Sequence, residues 1–352
     1  GYGRGHRQRF EADELRFIGG VRHGRTLGSP VAIEIGNSEW TRSDKWHAEM
    51  SAAPGETAAP LTTPRPGHAD LAGVQKYGFT DVRNVLERAS ARETAARVAA
   101  GTLARLLLAE LGITIASHVF RVGNAGTDDP STISFEQAVA IPESSELHCA
   151  NPEHERAMIA AIDAAREAGD TLGGAFEVIA RGVPPGLGSY TQWDAKLDGR
   201  IGQALLSIHA IKAVGVGAGP AVASRPGSAV HDEILPGASE IGLIRPTNRA
   251  GGLEGGVTNG EDIRVSGYMK PISTLMKPLR SVDLATGDES PAAIERSDVC
   301  AISAAAVVAE AGLAWVLAAA MLEKFGGDTM RDLTAAHAAY LERVGARLPR
   351  RA

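Results

Sequence analysis

The chain has 352 residues, of which 44% are hydrophobic and 22% charged. That is a globular composition with enough apolar surface for one large domain or two, and it excludes global disorder. A net charge of -6 argues against a nucleic-acid binder, and two cysteines, Cys149 and Cys300, are too few for a disulfide framework or a Cys-rich zinc site and fit a reducing cytosol.

The chain opens on Gly-Tyr-Gly-Arg-Gly, where no helix or strand begins cleanly, so residues are expected to precede it. No charged-then-apolar leader is legible, so no secretory signal is expected. Residues 15–21 and 30–35 read as strands, being apolar and β-branched with turn residues between them. Residues 41–63 are polar with three breakers, Pro54, Gly55 and Pro60, and read as a loop. Residues 90–111, rich in Ala, Leu and Arg and stopped by Gly112, predict a helix. A strand is predicted over 113–122, a helix over 153–168, a strand over 174–181 and a helix over 197–208. Residues 215–227 read as a flexible connector, and 262–269 as a strand. Two long helices close the chain, over 301–324 and 329–347, followed by a basic tail. The stretch 301–322 is apolar enough to test as membrane-spanning. It carries Glu310 at its middle and much alanine, and reads as a buried core helix. Strands and helices interleave without regular βα spacing, which predicts an α+β fold with layered packing in a single domain.

Four segments have the residue types for chemistry. Asn248 to Gly260 holds five glycines in thirteen residues, with Arg249, Glu254, Thr258 and Asn259 among them. Glycine costs a chain order, and close approach of backbone to a ligand is the commonest compensation. The run matches neither GxGxxG after a strand nor GxxxxGK[ST], so it is a surface loop or a ligand loop of another kind. Lys270, Pro271, Ile272, Ser273 and Thr274 follow it and suit an anionic ligand.

Arg65-Pro-Gly-His-Ala-Asp70 presents Arg, His and Asp on a backbone fixed by two breakers. Histidine is the side chain whose ordinary pKa lies near working pH, so His68 suits general acid work, and Arg65 suits a carboxylate or phosphate. The plainer reading is a Pro-Gly turn carrying surface charge. Arg88-Ala-Ser-Ala-Arg92 opens the 90–111 helix, with Ser90 and Glu93 spaced as a capping box at an anion-attracting helix end. Arg296-Ser-Asp-Val-Cys300 stands before the 301–324 helix, as an N-cap or as an anion and proton site. Arg4, Arg7, Arg9, Arg22, His23 and Arg25 form a basic group, either a solvated face or an anion clamp. No paired His spacing is present, and no metal is expected.

Taken together and in order, these segments resemble chorismate synthases. The matching text is GYGRG (1–5), GVRHGRTLGSPVAIEIGN (20–37), RPGHAD (65–70), KYG (76–78) and RASARETAARVAAG (88–101). It continues with GDTLGG (169–174), LLSIHAIK (205–212), NRAGGLEGGVTNG (248–260), KPIST (270–274), RSDVC (296–300) and LEKFGGD (322–328). The wording is most similar to the actinobacterial branch.

The resemblance implies a β-α-β sandwich with helices between two antiparallel sheets, and a cytoplasmic homotetramer with one flavin per subunit. The implied reaction is anti-1,4 elimination of phosphate from 5-enolpyruvylshikimate 3-phosphate to give chorismate, in the shikimate pathway of aromatic amino acid biosynthesis. It needs reduced FMN without net redox change. No NADPH-binding fingerprint is legible, so reduced flavin is expected from an external flavin reductase. By resemblance, His68 protonates reduced flavin and Asp298 works with flavin N5 in taking the C6 proton. Arg4, Arg65 and Arg92 belong to the substrate clamp. Arg88, Ala89, Ser90, His209, Ala210, Gly255, Lys270 to Thr274 and Arg296 line the flavin.

Departures accompany the match. The family opens with Gly-Glu-Ser-His-Gly, whose His protonates the leaving phosphate, and this text is not in the sequence. A missing N-terminal strand, an exposed sheet edge and weak turnover are the expectations that follow. The family usually has Gln where His209 stands, and the segment after Lys212 and Ser303 also differ. Two readings stay open, an active chorismate synthase and an impaired flavin- and anion-binding homologue. Membrane and nucleic-acid partners are not expected.

Overall fold

The computed structural model describes residues 2–4, 14–38, 40, 47, 50–51, 59–239, 242–294 and 298–346. The chain begins with β1 (Leu15–Gly19) and β2 (Ala32–Ile35), paired antiparallel. Three helices follow, α1 (Asp70–Tyr77), α2 (Arg83–Arg88) and α3 (Glu93–Ala109). Next come β3 (Thr114–Val122), β4 (Ala125–Gly126), α4 (Phe135–Val139) and α5 (Pro152–Glu167). The middle holds β5 (Gly174–Arg181), α6 (Leu197–Leu206) and β6 (Ile211–Val216). A small hairpin, β7 (Leu253–Glu254) and β8 (Val257–Thr258), precedes β9 (Ile263–Met269). A second hairpin, β10 (Arg280–Val282) with β11 (Glu289–Pro291), precedes the long helices α7 (Ile302–Phe325) and α8 (Met330–Gly345).

The fold is α+β, as expected. Strands β4-β3-β5-β9-β6 form one antiparallel sheet of five. Residues 115–120 and 175–180 are buried on both faces, so these strands read as near-continuous apolar runs rather than as alternation. Helices α3, α6 and α7 form a layer on the sheet, with α7 touching both β3 and β5. The pair β1–β2 meets α3 through β2, so strands flank the helices on both sides. One apolar core runs through sheet and helices, from Leu108 and Val119 to Phe176, Leu205, Leu313 and Leu333.

The 24-residue helix α7 is long and apolar enough to cross a membrane by composition. It is instead the central core helix of the layer. Its one buried acid, Glu310, accepts from Ser117 Oγ at 2.6 Å and from Arg105 Nη1 at 2.5 Å. A buried carboxylate costs stability unless it is bonded in this way.

Three readings of the chain shift. The capping box at Ser90 and Glu93 is not made. Helix α3 starts at Glu93, Arg92 sits at its cap with no capping side chain, and Ser90 Oγ accepts from Arg92 N at 3.3 Å. Glu93 turns instead to Arg97 Nε at 2.9 Å. The stretch read as a connector contains the end of a strand, because β6 pairs with β9 from Val216↔Val265 to Ile211↔Met269. A lone Ile-Lys-Ala-Val-Gly-Val has no such partner to reveal it. Helices α1 and α2 also lie where the sequence suggested none.

Helices α3 and α7 meet where Gly101 faces Ala311. A Cβ at Gly101 would collide with the Ala311 Cβ, Cα and carbonyl oxygen. Gly101→Ala is therefore expected to destabilise the fold by about 1–3 kcal/mol in urea unfolding, as overpacking of a full core does. Alanine's helix preference of roughly 1 kcal/mol acts the other way. A variant as stable as the parent would show that the two helices can separate at no cost.

Candidate active site

Antiparallel pairing decides which loops share an end of the sheet. Met269, the last residue of β9, faces Gly174, the first of β5, and Ile211, the first of β6. Val122, the last of β3, faces Gly174 from the other side. The loops 169–173, 207–210 and 270–274 therefore emerge together. The links between them are direct: Lys270 N donates to Ala210 O at 2.9 Å, and Thr171 Oγ1 to Ile272 O at 2.7 Å.

The Arg65–Asp70 loop packs on this end. Gly67 takes a left-handed φ of 76°, and a Cβ there would lie 3.6 Å from Ser273 Cβ and 3.8 Å from Lys270 Nζ. Asp70, the first residue of α1, is fully buried. Its Oδ2 accepts from Arg65 Nε at 2.8 Å and from Arg65 N at 3.0 Å, and its Oδ1 lies 2.5 Å from His68 Nδ1. Burial works to raise the Asp70 carboxyl. The hydrogen bonds from His68 and Arg65 overcome it and hold the group well below the usual carboxylate range. Arg65 Nη1 reaches Thr274 Oγ1 at 3.4 Å, which ties this loop to the Lys270–Thr274 segment.

Beyond α6, His209 lies with Nε2 3.7 Å from Glu93 Oε2, at the start of α3. Its Nδ1 is buried and has no hydrogen-bond partner among the described residues. Burial is the largest influence on this imidazole and pushes its pKa down; Glu93 opposes, while Arg97, His68 and Arg88 reinforce the shift. Ala210 follows with φ 66°, a left-handed conformation that a non-glycine residue rarely adopts. Burial, with Lys212 beside it, also lowers the pKa of Lys270. The cations Arg65, Arg88, Lys212 and Lys270 lie on these linked segments, with Asp70 and Glu93 among them, and one imidazole nitrogen there is buried with no partner among the described residues. An anionic ligand with polar ring edges fits both features.

A second group stands across the 169–173 loop. Gly3 O accepts from Val299 N at 2.8 Å, and Leu172 N donates to Val299 O at 2.9 Å. Tyr2 is anchored on α5, its OH donating to Asp163 Oδ1 at 2.8 Å. These contacts set Arg4 Nε 2.9 Å from Asp298 Oδ2, close enough for an ion pair although not aligned as a hydrogen bond. Arg92 Nη2 donates to Gly36 O at 3.3 Å, which draws the end of β2 toward the start of α3.

Sequence position therefore groups the site only in part. His68, Arg65, Arg88, Ala89, Ser90, His209, Ala210 and Lys270 to Thr274 lie on linked segments, and Arg4 with Asp298 forms the neighbouring pair. Arg296 lies outside the described residues. Gly255 lies apart: it sits in the β7–β8 hairpin, where its carbonyl accepts from Lys196 Nζ and Leu197 N donates to Gly256 O. The Gly-rich run meets the sheet where β9 begins, Arg264 N donating to Gly251 O, and Lys270 lies where β9 ends. A strand of that length spans roughly 20 Å. Asp70 and Glu93 stand out in the sequence only as part of the Arg-His-Asp loop and of a capping box, and neither is assigned there to substrate or cofactor. The Arg-Pro-Gly-His-Ala-Asp spacing was the only signal for the first, and nothing local marked Glu93 as the neighbour of His209.

The family model described as chorismate synthase matches residues 1–322. A chorismate synthase of Moorella thermoacetica is 55% identical over 348 residues, covering 98% of this chain and 89% of its own length. One of Salinispora tropica is 54% identical, covering 97% and 88%. A solved structure described as the crystal structure of chorismate synthase superposes with a TM-score of 0.76 at 41% identity, covering 97% of this chain and 87% of that one. A match that runs through every linked segment of the site, at this identity and coverage, establishes that the chain belongs to the chorismate synthase family.

Proposed function

We propose that this chain catalyses the family's reaction, anti-1,4 elimination of phosphate from 5-enolpyruvylshikimate 3-phosphate to give chorismate, with reduced FMN as cofactor. It is then a carbon–oxygen lyase of the shikimate pathway, acting on a small-molecule substrate. The observation that carries the reading is the cation-rich end of the sheet, where His68, His209 and Lys270 come together within a family match of this extent.

The substrate bears one phosphate and two carboxylates, and such a ligand asks for clustered guanidinium groups. Arg4, Arg65 and Arg92 are assigned to it. Among the described residues Arg65 Nη1 makes just the 3.4 Å contact to Thr274, and it is the nitrogen best able to turn to an anion. FMN would be held by Arg88, Ala89, Ser90, His209, Ala210, Lys270 to Thr274 and Arg296, with Gly255 assigned by family likeness alone. The buried Nδ1 of His209 supplies one ring contact and the lysines meet negative charge. When bound, reduced FMN supplies electron density as phosphate leaves and a base for the C6 proton. His68 holds a proton on its imidazole for the anionic cofactor, with a fifth of its side chain open to solvent. Asp298, braced by Arg4, is the carboxylate that assists removal of the C6 proton. One proton and one phosphate leave the substrate, so no net electrons are exchanged.

A single-domain chain is supported by the one apolar core that joins sheet and helices. A homotetramer, a cytoplasmic location and an external flavin reductase follow from the same family reading and stand with this proposal.

Anaerobic incubation of the purified full chain with the substrate and chemically reduced FMN is expected to release phosphate and chorismate in equal amounts. Absence of both products under reducing conditions, with flavin bound, would leave the binding-homologue reading. His68→Ala is expected to slow turnover by roughly 10²–10⁴-fold, the usual contribution of a positioned general acid. A variant with parental rate and flavin affinity would remove His68 from the mechanism. FMN is also expected to bind more tightly with substrate present, because the substrate's phosphate offsets the clustered cations. Equal FMN affinity with and without substrate, by fluorescence titration, would rule that coupling out.

A further inference from the structure

The buried carboxylate of Asp70 is not among the residues assigned above to substrate or cofactor. It has 0% exposure and lies at the centre of the Arg65–Asp70 loop. Two protein groups share it: Arg65, through Nε, Nη2 and the backbone N, and His68, through Nδ1. At 2.5 Å, a ring-nitrogen lone pair and a carboxylate oxygen would repel, so a proton must lie between them. That proton sits on Nδ1. Arg65 Nη2, 3.1 Å from Nδ1, then has no lone pair to address there. It donates instead to Asp70 Oδ1 at 3.2 Å, with His68 Nε2 3.4 Å away as a second, weaker acceptor. Only this tautomer satisfies every member of the network.

We propose that Asp70 is the positioning residue of this site: it fixes His68 as the Nδ1–H tautomer, so that Nε2 alone exchanges protons, and it holds Arg65 beside the ring. The inference rests on the reading of His68 as the proton-carrying group. The chemistry is that of a carboxylate–imidazole pair, in which the acid orients the ring and stabilises its protonated form without itself taking up the proton. The fold supports the arrangement from behind. Asp70 opens α1, where the helix dipole favours a negative charge, and Pro66 and Gly67 keep the loop short enough for residues 65 and 70 to meet.

A carboxylate that only ties the loop together would make the same contacts, so the test must separate the two roles. The first arm is a double-mutant cycle on turnover with Asp70→Asn and His68→Ala. An amide at position 70 can donate to Nδ1 and would favour the opposite tautomer. Asp70→Asn alone is expected to lose roughly 10²–10⁴-fold in kcat, the range of a positioned general acid. Added to His68→Ala it should cause no further loss in kcat. Losses that multiply would mean that Asp70 acts independently of His68, and would overturn the proposal. The second arm reads the ligand-free protein, by ¹⁵N NMR of selectively labelled histidine. His68 should appear as Nδ1–H in the parent, and as Nε2–H in Asp70→Asn. A parent His68 in the Nε2–H form overturns the proposal whether or not the variant folds. A parent protein that shows no turnover refutes the proposed function, while the pairing of Asp70 with His68 still stands or falls on the tautomer.

Discussion

Helix α7 has almost no polar face, and a helix of that kind must bury most of its surface, here all but a stripe that includes Val307, Trp315 and Leu322. The sheet covers one side through β3 and β5, and α3 and α6 cover its flanks. Glycine at 101 lets α3 come into backbone contact, and Glu310 pins the register by reaching both Ser117 in β3 and Arg105 in α3. The one buried acid of the helix thus links three elements. Because α7 enters this layer directly after residues 298–300, its burial also fixes where Asp298 stands.

The position of the site follows from the sheet beneath that helix. In an antiparallel sheet, the end of one strand lies beside the start of the next, so loops far apart in sequence emerge side by side. Residues 169–173, 207–210 and 270–274 meet for this reason alone. The Arg65–Asp70 loop is then laid over them, with Gly67 in a left-handed turn beside Lys270 and Ser273. The same geometry separates neighbours in sequence. The Gly-rich run and Lys270 are linked by β9, and a strand cannot bring its own two ends together.

Charge is distributed unevenly over this framework. Arg65 and Arg4 each have a carboxylate partner, in Asp70 and Asp298. Lys270 has no carboxylate partner among the described residues; burial and Lys212 bear on it instead. The half-buried imidazole of His209 is held toward its neutral form. Paired arginines give fixed geometry, and the lysine and imidazole pay with desolvation for a place that an anion would make favourable.

How much of this was legible beforehand depends on the range of the interaction. The helices over 93–109, 152–167, 197–206, 302–325 and 330–345, and the strands over 114–122, 174–181 and 263–269, follow from local pattern and breakers. The α+β class, the family, and the segments bearing His68, His209 and Lys270 are likewise properties of the chain as text. Strand β6 was not, since Ile-Lys-Ala-Val-Gly-Val becomes a strand only against β9. Nor was the start of α3, where Glu93 abandons a local cap for Arg97. The sequence by itself determined which residues have the chemistry: the loop Arg65 to Asp70, the acid at 298, the imidazole at 209. Only the tertiary structure decided that Asp70 grips His68 and Arg65, that Arg4 meets Asp298, and that Gly255 lies a strand's length from Lys270. The Arg4–Asp298 pair joins opposite ends of the chain, which no local rule encodes; the Asp70 contacts are close in sequence but depend on how the loop backbone folds, and the length of β9 sets Gly255 apart.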